Sequence, residues 1–460
     1  MAETIRLEET ASERFAGFLA GLRLSDVPTE VQAIAIRDLV DAMGLCLSAR
    51  KTDYIAQVLL ALDASGPCTA IGHPGGLDAA GAALVNGVAI HGEDFDDTLE
   101  GAPIRVGAMV IPAVLAAAER HNLSGAQTLL GIIAGLEAIC RINHVAPGHS
   151  HKAGFHPVGI IGPLGAAAGV GVALGMTAKQ IAASFGVAAS MSSGIIEYLT
   201  DGAHTKRLHP GWAAQSGYRA AMIARSGFFA PRTVFEGGHN FFKAFAPTAT
   251  PDYRHLTEGL GAEWYFQRIV FKPYACGTMI HPYIDCARRL RADGIRAEDI
   301  ASILCPTGEG LVHRLWEPLA DKQRPPSGYA AKFSMPFCMA LGVVEGDAGL
   351  AQFDEEKVRD PDLLRLAAKI SYVIDPGNDY PRNYTGDMRV TLTSGKTLSY
   401  HQPHMRGGQH EPLTDAEILT KFRSNAAYGG WDPGLAESLL GFCQSLGAQT
   451  DLAAMADFRH

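Results

Sequence analysis

The sequence has no excess of positive charge, no C-x-x-C pair and no glycine loop of nucleotide-binding spacing. Its 39 lysines and arginines face 48 aspartates and glutamates, which leaves −9 at pH 7 over 460 residues. That balance excludes the basic footprint of a nucleic-acid binder. The eight cysteines lie mostly inside apolar runs such as Leu45-Cys46-Leu47, the pattern of reduced core thiols in a cytoplasmic protein. Met1 to Arg14 is rich in Glu and Thr and has neither a basic start nor an apolar core, so no export signal is expected. Pro157 to Met176 carries no charge, yet Gly and Ala dominate it where a membrane span would carry Leu, Ile and Phe. No membrane association is expected; Gly162, Gly165, Gly169 and Gly171 read instead as small residues that let helices approach closely. Nor do they cradle phosphate, because Gly169-Val170-Gly171 is followed by Val172-Ala173-Leu174-Gly175, out of register for G-x-G-x-x-G.

What is present is an ordinary globular composition, 47% hydrophobic and 19% charged, on a chain long enough for two or three domains. From Ser12 to about residue 265 apolar residues recur at helical spacing and β-branched alternation is almost absent, so this part is expected to be all-helical. Pro28 after Asp26, a capping residue, opens the run Val31, Ile34, Ile36, Leu39, Val40, Met43. Similar runs occupy 78–90, 107–120, 126–142, 157–174, 178–193 and 212–226, with no fixed period that would mark a solenoid. Strand character appears at 301–305, 370–374, 388–392 and 397–400, the last two flanking a Ser394-Gly395 turn. Helical segments alternate with these strands, and the tail returns to helix behind Thr414 and Glu417, spaced as a capping box. The fold class expected is therefore mainly α: a helical domain from both chain ends, 1–266 and 409–460, interrupted by a smaller α+β domain, 267–408.

Four segments carry chemistry. His91-Gly92-Glu93-Asp94-Phe95-Asp96-Asp97-Thr98 sets four carboxylates within five residues. On a helix, Asp94 would share a face with Asp97 and Thr98. The segment reads as a solvated acidic helix end, as a catalytic or substrate-positioning Asp94, or as the Mg²⁺ motif of an all-helical prenyl-diphosphate enzyme. That last class requires a second acidic motif, and none is apparent between 110 and 265. His156 stands at the head of an apolar helix, where a cap or core role competes with a catalytic one. His144, His149 and His151 lack H-x-x-x-H spacing, and no metal site is expected. Thr205-Lys206-Arg207-Leu208-His209-Pro210-Gly211 reads as a basic connection directly before a helix, suited to hold an anion. Lys272 lies at the junction of the two expected domains, either solvated or facing a cleft.

Together these segments resemble the MmgE/PrpD family, whose members include dehydratases, decarboxylases and epimerases of small carboxylates. The resemblance runs nearly end to end. Its most specific marks are His91 to Thr98, Gly154 to Gly159, Thr205 to Ala214, Phe235-Glu236-Gly237, Lys272 to His281 and Ala331-Lys332-Phe333-Ser334. It implies that the α+β domain is a lid, that the protein is a homodimer, and that catalysis uses no metal or organic cofactor. It also implies an active site between the domains, into which Asp94, Thr98, His156, Lys206 and Lys272 point. Where the family carries His-Pro some seven residues after Asp-Asp-Thr, this chain reads Ile104-Arg105-Val106. The decarboxylase branch has a further histidine at the position of Gly277 and a tyrosine near Phe337, and both absences argue against cis-aconitate decarboxylation itself.

A small carboxylate substrate suits these residues. Removing a proton beside a carboxylate forms a dianionic enediolate, which cations fixed in a dry site stabilise more than they stabilise the substrate. The catalytic assignment is Asp94, His156 and Lys206; Thr98, Arg105, Arg207 and Lys272 are assigned to substrate binding, with Arg105 as a carboxylate clamp. The function expected is a cofactor-independent lyase of the dehydratase type on a hydroxylated di- or tricarboxylate. An epimerase or isomerase is the alternative from the same intermediate, and a non-catalytic carboxylate-binding relative the alternative from another class.

Overall fold

A computed structural model describes residues 8–63, 65–102 and 104–460. Met1 to Leu7, part of the stretch read for an export signal, lie outside the described residues, as does the side chain of Asp201. The chain divides into two compact units. The first comprises the described residues up to Gly92 with Asp96–Ile269 and Phe422–His460; the second comprises Glu93–Phe95 and Val270–Lys421.

The first unit is mainly helical, as the 3.6-residue periodicity predicts. Its principal helices are Ala79–His91, Gly107–His121, Gly125–Val145, Pro157–Ala173, Ala178–Met191 and Thr205–Arg225. Local chemistry fixes several starts: Asp78 accepts from the Gly81 amide, and Ser124 and Thr177 form capping boxes with Gln127 and Gln180. Pro157–Ala173 is buried along its whole length and packs against four of the other helices. A Cβ on Gly165 would lie 2.0 Å from Ile139 Cγ1, and one on Gly169 would lie 2.8 Å from the Gly131 carbonyl oxygen. The small residues are thus required by helix proximity. Gly125–Val145 alone among the described helices is long and apolar enough to cross a membrane, but 83% of its apolar window is buried in the protein. It also carries a buried ion pair, Arg141 Nε to Glu137 Oε1 at 2.6 Å.

Three expectations need correction here. Asp26 is no helix cap: it closes the short turn Leu24–Asp26, and Pro28 occupies the cap position of Thr29–Ala49 without a side-chain bond. Ser65–Thr69 and Gly76–Leu77 pair as antiparallel strands inside the region read as all-helical. No alternation announces them; Thr69 is held by Glu119, its hydroxyl donating at 2.6 Å, and by Arg459, 390 positions away. The segment read as a connection before residue 212 is itself helical from Thr205, with Pro210 inside the helix, where it costs one i→i−4 hydrogen bond.

The second unit holds a four-stranded sheet in the order Ile370–Ile374, Ile300–Thr307, Gly386–Leu392, Thr397–Gln402. The first pair is parallel, with Ile303 opposite Ile370, and the others are antiparallel. The last two strands form the expected hairpin, and Gly395 supplies its left-handed turn residue at φ 84°. Helix His281–Ala292 packs on the strands Gly386–Leu392 and Thr397–Gln402 and against helix Met335–Val344. Thr414 and Glu417 exchange the expected capping bonds at the head of Asp415–Tyr428.

Candidate functional site

In the first unit, one cluster gathers residues from four separate stretches of chain. His91 is the last residue of Ala79–His91, and its Nδ1 lies 2.8 Å from Asp96 Oδ2. Arg105 Nε lies 3.3 Å from the other oxygen of Asp96. The neighbouring Asp97 accepts the Val106 and Gly107 amides at 2.9 and 3.1 Å, so it pins the loop to the head of the Gly107–His121 helix. Burial and then the charge of Asp96 raise the Asp97 pKa, with Arg105 and the two amides opposing. Thr98 opens a two-residue strand, its hydroxyl 3.5 Å from the Ile104 carbonyl. The acidic segment is therefore neither solvated nor helical: Asp94, Asp96 and Asp97 are all buried. The shared helical face expected for Asp94, Asp97 and Thr98 does not form.

His156 caps Pro157–Ala173 by position, not by a side-chain bond. Its Nδ1 lies 3.1 Å from His209 Nδ1, and its ring centroid is 5.8 Å from that of His91. Tyr198 stands edge-on to both His156 and His209. Two imidazole nitrogens in such contact hold one proton between them, one donating and one accepting, so the two rings cannot both be cations. Burial, followed by the charges of His91, Lys206, His209 and Arg105, holds His156 well below the usual histidine range. Burial, His91 and Lys206 bring His209 down to about 4. Both rings are consequently neutral near pH 7. Lys206, half-buried in the first turn of Thr205–Arg225, is the nearby fixed cation. Arg207 turns elsewhere: its Nε donates to the Gly92 carbonyl at 2.8 Å, and its guanidinium lies 4.6 Å over the Tyr54 ring.

In the second unit, the tripeptide Glu93–Phe95 is held by three lysines. Lys332 Nζ donates to the Glu93 carbonyl at 2.9 Å and pairs with the Glu93 carboxylate; Lys272 Nζ donates to the Asp94 carbonyl; Lys421 Nζ donates to the Phe95 carbonyl at 2.8 Å. Lys272 also donates to the Cys276 carbonyl at 3.2 Å and lies 3.6 Å from Asp94 Oδ1. It is fully buried, and so not the solvated lysine that its position in the sequence also allowed. Asp94 has φ 54°, a left-handed conformation that a non-glycine residue rarely adopts. The clamp on either side holds that strained residue in place.

Two domain models match the chain: the MmgE/PrpD N-terminal domain over residues 13–254 and the MmgE/PrpD C-terminal domain over 274–431. The chain belongs to the MmgE/PrpD family. Among its relatives are cis-aconitate decarboxylases. That of Aspergillus terreus is 26% identical over 434 residues, covering 88% of this chain and 87% of the relative. The mouse protein is 26% identical over 435 residues (91% and 87%), and the human one 27% identical over 455 residues (95% and 92%).

Against the family's marks, the structure brings His156, Lys206 and Arg105 to one cluster in the first unit, and Asp94 and Lys272 to another in the second. Sequence reasoning missed Asp96, His91 and His209 as partners, although all three lie within segments it singled out. It also missed Lys332 and Lys421. Lys332 falls in a family mark, whereas Lys421 carries no signal, since a lysine in an amphipathic helix reads as solvated. The upstream histidines have separate partners: His144 Nδ1 lies 2.7 Å from the Cys140 carbonyl, and His149 Nδ1 3.0 Å from Thr248 Oγ1.

Proposed function

We propose that this family member is a lyase that takes a proton from the carbon beside a carboxylate of a small hydroxylated di- or tricarboxylate and expels the β-hydroxyl, without a metal or organic cofactor. The observation that carries the reading is the neutral His156–His209 pair set among Lys206, Arg105 and His91. A neutral imidazole is a competent base, and cations around it stabilise the enediolate that its action creates. His156 is the base, with His209 fixing its tautomer, and Lys206 meets the developing charge. In the second unit Asp94, held by the lysine clamp, is proposed as an acid–base carboxylate and Lys272 as a substrate cation; in the first, Thr98 is proposed as a further binding group, while Arg207, bonded to Gly92 and stacked on Tyr54, holds the loop and not the substrate.

Decarboxylation is the second reading, favoured by the activity for which the relatives are named. The same cations would stabilise the carbanion left by departing carbon dioxide. Gly277 and Phe337, where the decarboxylase branch carries histidine and tyrosine, weigh against it. An epimerase differs only in reprotonating the intermediate on its other face. Incubation with hydroxy, unsaturated and amino di- and tricarboxylates in deuterated water separates them. An alkene signal from a hydroxy acid supports the dehydratase, loss of carbon dioxide the decarboxylase, and deuterium at the α-carbon without net product the epimerase.

A second copy of the chain is proposed as the partner. Leu208, Trp212 and Ile223 lie exposed along one side of Thr205–Arg225, an apolar stripe that a homodimer would cover. A reducing compartment such as the cytoplasm is proposed as the location, because all eight cysteines are buried free thiols.

A further inference from the structure

We propose that Arg105 is a positioning residue that acts through Asp96 on His91, and that His91 is the proton donor which complements the His156–His209 pair. This rests on the acid–base reading above and goes beyond it by naming the second proton-transfer group.

The geometry distinguishes the two kinds of imidazole. His156 faces another imidazole at 3.1 Å, whereas His91 faces a carboxylate at 2.8 Å. A buried carboxylate on Nδ1 fixes the tautomer and stabilises the imidazolium. Arg105, 3.3 Å from the far oxygen of Asp96, shares that carboxylate's charge. Arg105 thereby tempers how strongly Asp96 holds the proton on His91. The His91 and His156 ring centroids lie 5.8 Å apart, so the two imidazoles stand side by side in one cluster.

The proton balance closes. His156 takes the α-proton as the C–H bond breaks and becomes imidazolium; His91 gives its proton to the departing β-hydroxyl as the C–O bond breaks, and water leaves. One proton has moved from His91 to His156, and exchange with solvent restores both. The groups around His91 within this unit are Asp96 and Arg105 from the following loop, His156 and Tyr198, His209 and Lys206 from the Thr205–Arg225 helix, and Tyr54 and Arg207 at Gly92. Glu93 and Asp94 follow it closely in sequence.

The test is a ¹⁵N-histidine titration of the full-length protein, with the His91 ring assigned by its loss in His91→Gln. Arg105→Gln leaves the Asp96 charge uncompensated and is expected to raise the His91 pKa by about half a pH unit or more; Asp96→Asn removes the charge and is expected to lower it by about one. Because His91 must be protonated to act, the alkaline limb of kcat/KM moves up in the first variant and down in the second. Arg105→Lys should restore the wild-type titration, which covers an Asp96→Asn protein that fails to fold. Shifts in the same direction, no shift in Arg105→Gln, or a His91 already neutral at pH 6 would overturn the proposal. The titration needs no substrate, so an active enzyme with unshifted His91 overturns this inference alone. The expected shifts in a protein that acts on no acid overturn only the lyase reading.

Discussion

His156 Nδ1 and His209 Nδ1 meet at 3.1 Å although the two residues stand 53 positions apart in sequence. The contact joins the head of one buried helix to the second turn of another, and it keeps both rings from becoming cations together.

Acid stability should report this pair. The fold favours neutral His209, with its pKa lowered from 6.5 to about 4. The unfolded chain therefore binds more protons between these values, and the contribution of this residue is complete above pH 6.5 and lost as pH falls toward 4. At about 1.4 kcal/mol for each pH unit between folded and unfolded pKa, the loss is at most about 3.5 kcal/mol. Urea melts of the wild type and His209→Gln across pH 4 to 7 should converge as the pH falls. Parallel curves would show that His209 carries no such penalty.

Lys206→Ala should cut turnover by about a hundredfold or more while changing folding stability by less than about 1 kcal/mol. The half-buried lysine is proposed to meet charge that develops in the reaction, and it adds little to the core. A lowered melting temperature with near-normal turnover would assign it to structure instead.

The lysine clamp makes a prediction for the second unit. Lys332→Met leaves the Glu93 carboxylate and carbonyl without their cation and should destabilise by about 3 kcal/mol. Adding Glu93→Gln should recover part of that loss, since the unpaired carboxylate is then gone. Strict additivity in the double-mutant cycle would contradict the coupling.

Turnover should survive exhaustive chelation, because the proposed chemistry runs through imidazoles and lysines. Loss of activity in EDTA, restored by Mg²⁺ alone, would revive the prenyl-diphosphate reading of the acidic segment.

Much of the architecture was legible because helices and strands announce themselves by period. The principal helix runs and the Ser394-Gly395 hairpin lie close to where the pattern puts them. The start of Thr205–Arg225 was not legible, because Pro210 and Gly211 imitate a loop. Gly211 serves packing: a Cβ there would lie 2.2 Å from the Leu84 carbonyl oxygen. The chemistry-bearing segments were legible because each is contiguous. Their pairings were not, since Asp96 with Arg105, His156 with His209 and Lys421 with Phe95 are tertiary contacts that no local pattern encodes. The left-handed backbone of Asp94, φ 54°, is likewise not announced by any local pattern, although Asp tolerates that region better than most residues.

The most direct test of the account is proton exchange itself. Wild-type protein incubated with the acid panel in deuterated water should give, from at least one hydroxylated di- or tricarboxylate, an alkene product and deuterium beside the carboxylate, and His156→Gln should abolish both. Absence of exchange and of product with every acid, in a protein that still binds them, would contradict it.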